Sequence, residues 1–600
     1  MTIDGELSPV DYIFGELDQP QNAAQWLKKR LSGVHHYSQK TPHAPVQDKP
    51  LVINVTTDMG QVYDEIFIWF TTDEWQHTRK TSFTKHRLVW NSITWSYIQE
   101  WQVTLPPQSE GVMLRYKIGA KIPGFEEMVY TDNQSRSFGE ATHYSIWYGK
   151  ENNPAWAKHA IVYQVFVDRF NPGNGNTWTQ TSDIRKHYGG TLAGVIERLA
   201  FIKDMGFNAI WLSPIFDSPS HHGYDTADYF QINPRLGTLE DFKLLIAKAH
   251  RLEIRVILDF VANHCSDNHP FFEDALQNSN SAYHDWFVWK KWPEYERFFN
   301  VGSMPKLNLS FGSPAKDHLL EAARYWLEMG VDGYRLDYAY GPEHDFWVDF
   351  RRVCSSVNPN VWTFGELVLP ADIQACYADA LGGSLDFLLA QAVRATFGSQ
   401  TWKLSKFAGF INSHFQYFPE NHSLPGFFDN HDMDRFYTVA EDDKQRLKLA
   451  LLMLYVLPGP PIIYYGTEVP LSQKHLLHEG GGLGFDEARL EMDWQNAAQS
   501  DIPRYLRKLA DVRCKLGLST NNKWHLHTVD DAQQIMVLAA QDKNLLLFVN
   551  RSKENQTVSL HLDKEIGEHQ DVLTLVSYHF TDHRLEITLP PISGLILSSC

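Results

Sequence analysis

The chain has 600 residues, 43% hydrophobic and 21% charged, a globular composition too long for one ordinary domain. Its net charge of −18 argues against nucleic acid and anionic membrane as partners. The five cysteines (Cys265, Cys354, Cys376, Cys514 and Cys600) are odd in number and lack CxxC spacing, so a disulfide framework or zinc centre is disfavoured and a reducing, cytoplasmic compartment is expected.

Residues 1–47 read as a polar N-terminal extension, with a short helix over 23–31 and a loop over 38–45. The first six residues are acidic and carry no apolar leader pattern. No stretch of about 18 apolar residues, the length a membrane span needs, occurs anywhere in the chain. Over 48–148 short alternating runs such as Leu51-Val52-Ile53-Asn54-Val55 and Ile66-Phe67-Ile68-Trp69-Phe70 predict a β-sandwich. Trp69, Trp75, Trp90, Trp95 and Trp101 crowd this region. Most are expected in its core, with one or two as a platform for carbohydrate.

Between 149 and 522 the rhythm changes to strands alternating with helices. Strands are predicted at 161–167, 208–214, 255–261, 333–337, 361–367, 385–389, 426–429 and 461–465. Helices are predicted at 192–205, 239–252, 316–329 and 443–457, the second opened by Thr238 as N-cap with Asp241 three residues on. Strands alternating with helices over this length fit an α/β fold of the (β/α)8 TIM-barrel type, and no GxGxxG or P-loop supports a doubly wound sheet. An irregular aromatic stretch, about 265–313, forms an inserted subdomain after the third strand, where a long excursion serves a site. From 523 to 600 the pattern returns to strands, a C-terminal β domain.

Four apolar runs in the barrel end in carboxylates: Val256-Ile257-Leu258-Asp259, Gly333-Tyr334-Arg335-Leu336-Asp337, Trp362-Thr363-Phe364-Gly365-Glu366 and Phe427-Phe428-Asp429-Asn430-His431-Asp432. Buried charge is costly unless it is paired or used. Strand ends that converge on the carboxyl face of a parallel barrel are where its active site lies. Clustered carboxylates perturb one another's pKa values, as acid/base and nucleophilic chemistry at a glycosidic bond requires.

These four segments, in this order, resemble the signature regions of the α-amylase family of glycoside hydrolases. The segment Met304-Pro305-Lys306-Leu307-Asn308 and the run from Tyr163 to Phe170 resemble the neopullulanase, cyclomaltodextrinase and maltogenic amylase subgroup. The resemblance covers roughly residues 150 to 520. It implies a retaining α-glucan hydrolase that cleaves α-1,4 bonds in starch-like or maltooligosaccharide substrates, with Asp337 as nucleophile, Glu366 as acid and base, and Asp432 gripping sugar hydroxyls. In such an enzyme the two reacting carboxyls lie about 5–5.5 Å apart. Arg335, two residues before Asp337 and so on the same strand face, would hold the nucleophile ionised. His264 and His431 would bind hydroxyls and Tyr224 would stack on the sugar. Asp259 would either touch substrate or order the site through hydrogen bonds.

The chain also departs from the family pattern. Tyr338-Ala339-Tyr340 replaces the Lys-His or Asn-Glu pair that follows the nucleophile in relatives, and Tyr340 becomes a candidate aromatic platform on the leaving-group side. Met433-Asp434-Arg435 follows Asp432, an uncommon ending. Three functional readings remain open at this level: the hydrolase, a transglycosylase forming α-1,6-linked or elongated products, and a non-catalytic barrel subunit, which would lack the carboxylates. No cofactor is required. Asn171, Asn174 and Asn176 form an oxygen-rich loop that could hold calcium as a structural ion. The partner is an α-glucan, and the protein is expected as a monomer or homodimer.

Overall fold

The computed structural model describes residues 28–150, 153–477, 479, 483–518, 523–540, 543–561, 569–578 and 584–599. The start of the helix expected over 23–31, and Cys600, lie outside these residues. Within them, no helix is long and apolar enough to cross a membrane.

The central region is a parallel barrel. The strands Val162–Val165, Ala209–Leu212, Arg255–Val261, Gly333–Asp337 and Trp362–Gly365 pair in chain order, and Ile462–Tyr464 pairs back onto Val162–Val165. Nearly every residue of these strands is buried, which is why they read as continuous apolar runs rather than alternating ones. Between Trp362–Gly365 and Ile462–Tyr464 the ring is completed by single parallel bridges: Gly365 to Ser384, Gly383 to Ser423, and Gly426 to Pro461. The amide of Leu385 donates to Gly365 at 2.9 Å, that of Asp386 to Pro425 at 3.0 Å, and that of Ile462 to Gly426 at 2.8 Å.

The sixth and seventh strands therefore differ from the prediction. Residues 426–429 contribute one bridge. The run at 385–389 turns into the helix Phe387–Val393 because Asp386 caps it, accepting from the Leu389 amide. A short apolar run does not by itself distinguish a buried strand from a buried helix, and here a cap decides.

Helices pack outside the ring. Leu239–Arg251 buries Phe242, Leu245, Ile246 and Ala249, the helical stripe its sequence shows, and opens on a capping box of Thr238 and Asp241. Leu192–Asp204, Pro314–Glu328 and Lys444–Val456 occupy the other predicted helical segments. The subdomain after the third strand holds the helix Pro270–Gln277 and a hairpin of Trp289–Lys291 with Glu294–Tyr295.

The N-terminal sandwich has two antiparallel sheets over a core that includes Ile53, Val55, Ile66, Ile68, Leu114 and Ile118. It begins earlier than the polar composition suggested. Val34–His35 and Lys40–Thr41 both pair with Leu51–Asp58, so residues 34–41 are edge strands rather than an extension. Their polar residues are largely buried but paired: His36 meets the Asn54 carbonyl at 2.7 Å and Tyr116 Oη at 2.8 Å. The tryptophans also depart from expectation: Trp101 is buried, whereas Trp90 and Trp95 are exposed.

Buried ion pairs join sandwich to barrel. Arg115 lies 3.1 Å from Asp345 and 3.0 Å from Asp349, which also hold Lys316 at 2.5 and 2.8 Å. Lys40 meets Asp379 at 3.0 Å with both side chains fully buried. Removing one partner of such a pair costs roughly 3–5 kcal/mol. Asp345 and Asp349 sit on His344–Val357, the helix that follows the Asp337 strand, so the sandwich braces the element behind the candidate nucleophile. The C-terminal domain stacks the sheet containing Ile535–Ala540 and Leu545–Asn550 on the pair Gln556–His561 with Arg584–Leu589.

Candidate active site

The register of the parallel strands builds the site. Asp259 stands beside Arg335, and Val261 beside Asp337. Because side chains alternate along a strand, Arg335 and Asp337 share a face. The Arg335 guanidinium is fully buried and ties three strand ends together. Its Nη1 donates to Asp259 Oδ1 and Asp337 Oδ1, both at 2.8 Å, and its Nη2 lies 2.7 Å from Glu366 Oε1. The last contact is a close ion pair without hydrogen-bond alignment, so Glu366 Oε1 has no directional donor. Glu366 Oε2 accepts from the backbone amide of Tyr338 at 3.1 Å.

This asymmetry separates the two candidate reacting acids. Burial raises both carboxyls, and Arg335 opposes it in each. Glu366 is pushed up to about 8, with the charges of Asp337 and Asp432 adding to the effect of burial. Arg335 hydrogen-bonds Asp337, and such a bond favours the ionised form, whereas its 2.7 Å contact with Glu366 Oε1 is not aligned as one. Proton and negative charge are thus partitioned onto different carboxyls.

Asp259 is buried. It accepts from Trp211 Nε1 at 3.1 Å and Tyr224 Oη at 3.0 Å as well as from Arg335. Burial pushes it up to about 7, yet both its oxygens only accept, the pattern of a carboxylate. Its three hydrogen bonds suit the ordering role of the two that the sequence left open.

Asp432 is close enough to Asp337 and Glu366 for its charge to raise both. His431 Nε2 is 3.0 Å from Asp432 Oδ2, and Arg489 Nη2 donates to Asp432 Oδ1 at 2.6 Å. Burial works to raise Asp432, but His431 and Arg489 outweigh it and hold the carboxyl well below the usual range. Burial also keeps His431 below its ordinary value, so Arg489 is the permanent cation of the pair. The Tyr224 ring stacks on His431, with centroids 5.1 Å apart and planes 5° from parallel, and their polar ends bond at 2.6 Å.

His264 has both ring nitrogens occupied. Nε2 meets the Tyr224 carbonyl at 3.0 Å and Nδ1 meets Asn263 at 3.2 Å. Burial lowers it to about 4, so it is neutral. His264 thereby also buttresses the backbone of Tyr224. Tyr340 is 39% exposed and within electrostatic reach of Tyr37 and Tyr377.

Several site residues escaped sequence reasoning. Arg489 lies far along the chain in a segment without a strand. Gln164, whose amide meets His431 Nδ1 at 2.9 Å, and Trp211 read as ordinary strand residues. Phe298 stacks on His264 at 4.5 Å and meets the Tyr338 ring edge-on at 4.9 Å. The inward alternation of residues 164 and 211 was the one signal available for Gln164 and Trp211.

The loop of Asn171, Asn174 and Asn176 is tied by a residue from the next helix. The Asn171 amide donates to Gly194 O at 3.1 Å and Glu197 at 3.3 Å, and the Asn174 backbone amide donates to Glu197 at 2.7 Å. Glu197 thus spends both oxygens on N–H donors. Among the described residues, no group of three or more His, Cys, Asp or Glu is placed to hold a metal.

The family model described as "Alpha amylase, catalytic domain" matches residues 164–556. "Alpha-amylase 2" of Dictyoglomus thermophilum is 34% identical over 516 residues, covering 84% of this chain and 86% of its own length. The "Intracellular maltogenic amylase" of Bacillus subtilis is 30% identical over 74% of this chain and 77% of its own. The solved structure of a cyclomaltodextrinase superposes with a TM-score of 0.70 at 24% identity, covering 95% of this chain and 99% of that one, which shows the same fold.

Proposed function

The chain belongs to the α-amylase family of glycoside hydrolases, and from that footing we propose that it cleaves α-1,4-glucosidic bonds of maltooligosaccharide or starch-like chains with retention. The observation that carries the reading is the single guanidinium of Arg335 holding Asp337 and Glu366 together. Asp337 attacks the anomeric carbon while Glu366 gives its proton to the departing oxygen, and a glycosyl ester forms on Asp337. Glu366, now ionised, takes a proton from water, whose oxygen bonds the anomeric carbon and releases Asp337. Asp432, kept ionised by Arg489, accepts from sugar hydroxyls and favours the distorted ring.

None of these steps calls for a cofactor, and calcium, if bound near Asn171, has a structural role only. The "Intracellular" relative and the unpaired cysteines support a cytoplasmic setting. The assembly is a monomer or homodimer, which sedimentation distinguishes. The functional test is a panel of soluble starch, pullulan, β-cyclodextrin, maltotriose and isomaltose with products resolved. Cleavage of an α-1,4 substrate to α-anomeric product is expected, together with a loss of at least about a hundredfold in Glu366→Gln. A fully active Glu366→Gln enzyme would overturn the assignment.

A further inference from the structure

A cavity of about 510 Å³ opens at the other end of the barrel from the candidate active site. Asp337 closes its strand, Gly333–Asp337, at the carboxyl end. The cavity is instead walled by segments that enter strands. His422 and Leu424 lead to the bridge at Gly426, and Pro458 and Gly459 lead to Ile462–Tyr464. The helix Leu404–Tyr417 supplies a further wall, and Trp524, just before the first C-terminal strand His525–Asp530, closes the side. The volume falls in the range of roughly 300–1,000 Å³ typical of small-molecule sites.

Its inner lining is aromatic and fixed. Phe418 and Trp524 are buried and Phe415 is half-buried. Trp524 Nε1 donates to Val456 O at 3.1 Å, and Phe418 stacks on His422 with centroids 5.7 Å apart and planes 11° from parallel. The rim is polar and unspent. Asn412, Gln416, Glu420 and Lys523 are exposed, and none makes a side-chain hydrogen bond or ion pair among the described residues. One carboxylate and one ammonium leave the rim without net charge. His422 adds a buried acceptor. Gln374 Nε2 donates to Leu369 O at 2.6 Å, so its Oε1 accepts from the Ser384 hydroxyl at 2.9 Å. That bond spends the one proton of Ser384, whose oxygen therefore accepts from His422 Nε2 at 3.0 Å. Burial lowers His422 to about 3, so the ring is neutral. Its Nδ1 is then a bare lone pair, and it has no partner among the described residues. A buried polar atom normally has one.

We propose that this cavity, between the amino-terminal face of the barrel and the C-terminal domain, is a second saccharide site that holds a short stretch of α-glucan apart from the active site. Flat ring faces pack on the C–H faces of a pyranose. Sugar hydroxyls need donors and acceptors together. Asn412 and Gln416, four residues apart on one helix face, offer both. A hydroxyl reaching His422 supplies the donor that its Nδ1 lacks. The cancelled charge of the rim gives no hold on a phosphorylated or otherwise anionic ligand, so a neutral sugar fits best. A polymer tethered there stays with the enzyme between cleavage events, and its other chains reach the cleft at a raised effective concentration. The choice of α-glucan as the saccharide rests on the hydrolase reading above.

The test uses the full-length Glu366→Gln chain, whose turnover is expected to be slow, with maltotriose as the probe in equilibrium dialysis. Two maltotriose molecules bound per chain at saturation are expected, one in the cleft and one in the cavity. Adding Asn412→Ala and Gln416→Ala together is expected to weaken the cavity event roughly tenfold, the scale of two lost hydrogen bonds. Both side chains are exposed, so this pair of substitutions does not depend on core packing. Hydrogen exchange locates the event independently: maltotriose should slow exchange in the segment 411–424, and that protection should fade in the substituted chain. Fewer than two maltotriose per chain, or a second event unchanged by the two substitutions, overturns the proposal and leaves the hydrolase reading standing if the substrate panel is cleaved. No maltotriose bound together with an inert panel would fail that reading, and this proposal with it.

Discussion

The position of Glu366 makes the pH dependence of turnover a quantitative test. Burial and the charges of Asp337 and Asp432 push its pKa up to about 8. The acid must be protonated to start the reaction, so kcat/KM should hold below that value and fall as pH rises through it, about tenfold per unit beyond. Asp432→Asn removes one of the two carboxylates that raise Glu366. At an effective dielectric of about 20 a unit charge is worth about 4 kcal/mol at about 4 Å, falling inversely with distance. Relaxation and ions reduce that, and about 1.4 kcal/mol corresponds to one pKa unit. The basic limb of the variant should therefore move down by about one unit, to near 7. At pH 8 the wild-type enzyme would retain about half of its plateau and the variant about a tenth of its own, much lower plateau. The assay is initial-rate kcat/KM on maltotriose from pH 5 to 10, each profile normalised to its own maximum. A limb that stays in place, or moves upward, would refute the claim that Asp432 and Glu366 share one electrostatic environment.

Three further outcomes are expected. Arg335→Met leaves Asp259, Asp337 and Glu366 without their common cation and should cost roughly 3–5 kcal/mol by urea unfolding at pH 8. That penalty should shrink as pH falls, because Asp259 (about 7) and Glu366 (about 8) take up protons. A pH-independent penalty would contradict the pairing. Gly341→Ala should destabilise by about 1–3 kcal/mol in thermal unfolding, since its Cβ meets Asn263 and Tyr338, and a neutral effect would show that the loop has room the contacts deny. At the Asn171–Asn176 loop, a chelator should leave the melting temperature unchanged. Glu197→Gln should cost about 1–2 kcal/mol through its lost charge-assisted bonds. A melting temperature lowered by chelation and restored by calcium would reverse the assignment.

Sequence alone determined the elements whose signal is local. Apolar runs ending in Asp259, Asp337 and Glu366 became strands, because a strand buried on both faces is apolar throughout. The Thr238–Asp241 box opened a helix where it was read, because a cap lies within one turn. The two-residue spacing of Arg335 and Asp337 gave their shared face, because side chains alternate along any strand.

What the tertiary structure decided depends on residues distant in sequence. The sixth and seventh barrel positions shrink to bridges because the Asp386 cap and the neighbouring strands, not the local pattern, settle their conformation. Residues 34–41 joined the sandwich because Leu51–Asp58 offers backbone pairing and distant groups such as Tyr116 and Asp379 satisfy their buried polar side chains. Glu197 ties the asparagine loop, and Arg489 reaches Asp432 across 57 residues. The meeting of Tyr338 with Phe298 and Phe299 requires the inserted subdomain to fold back over the nucleophile strand. No periodicity encodes such contacts. They follow from which buried charges and rings can satisfy one another once the barrel has closed.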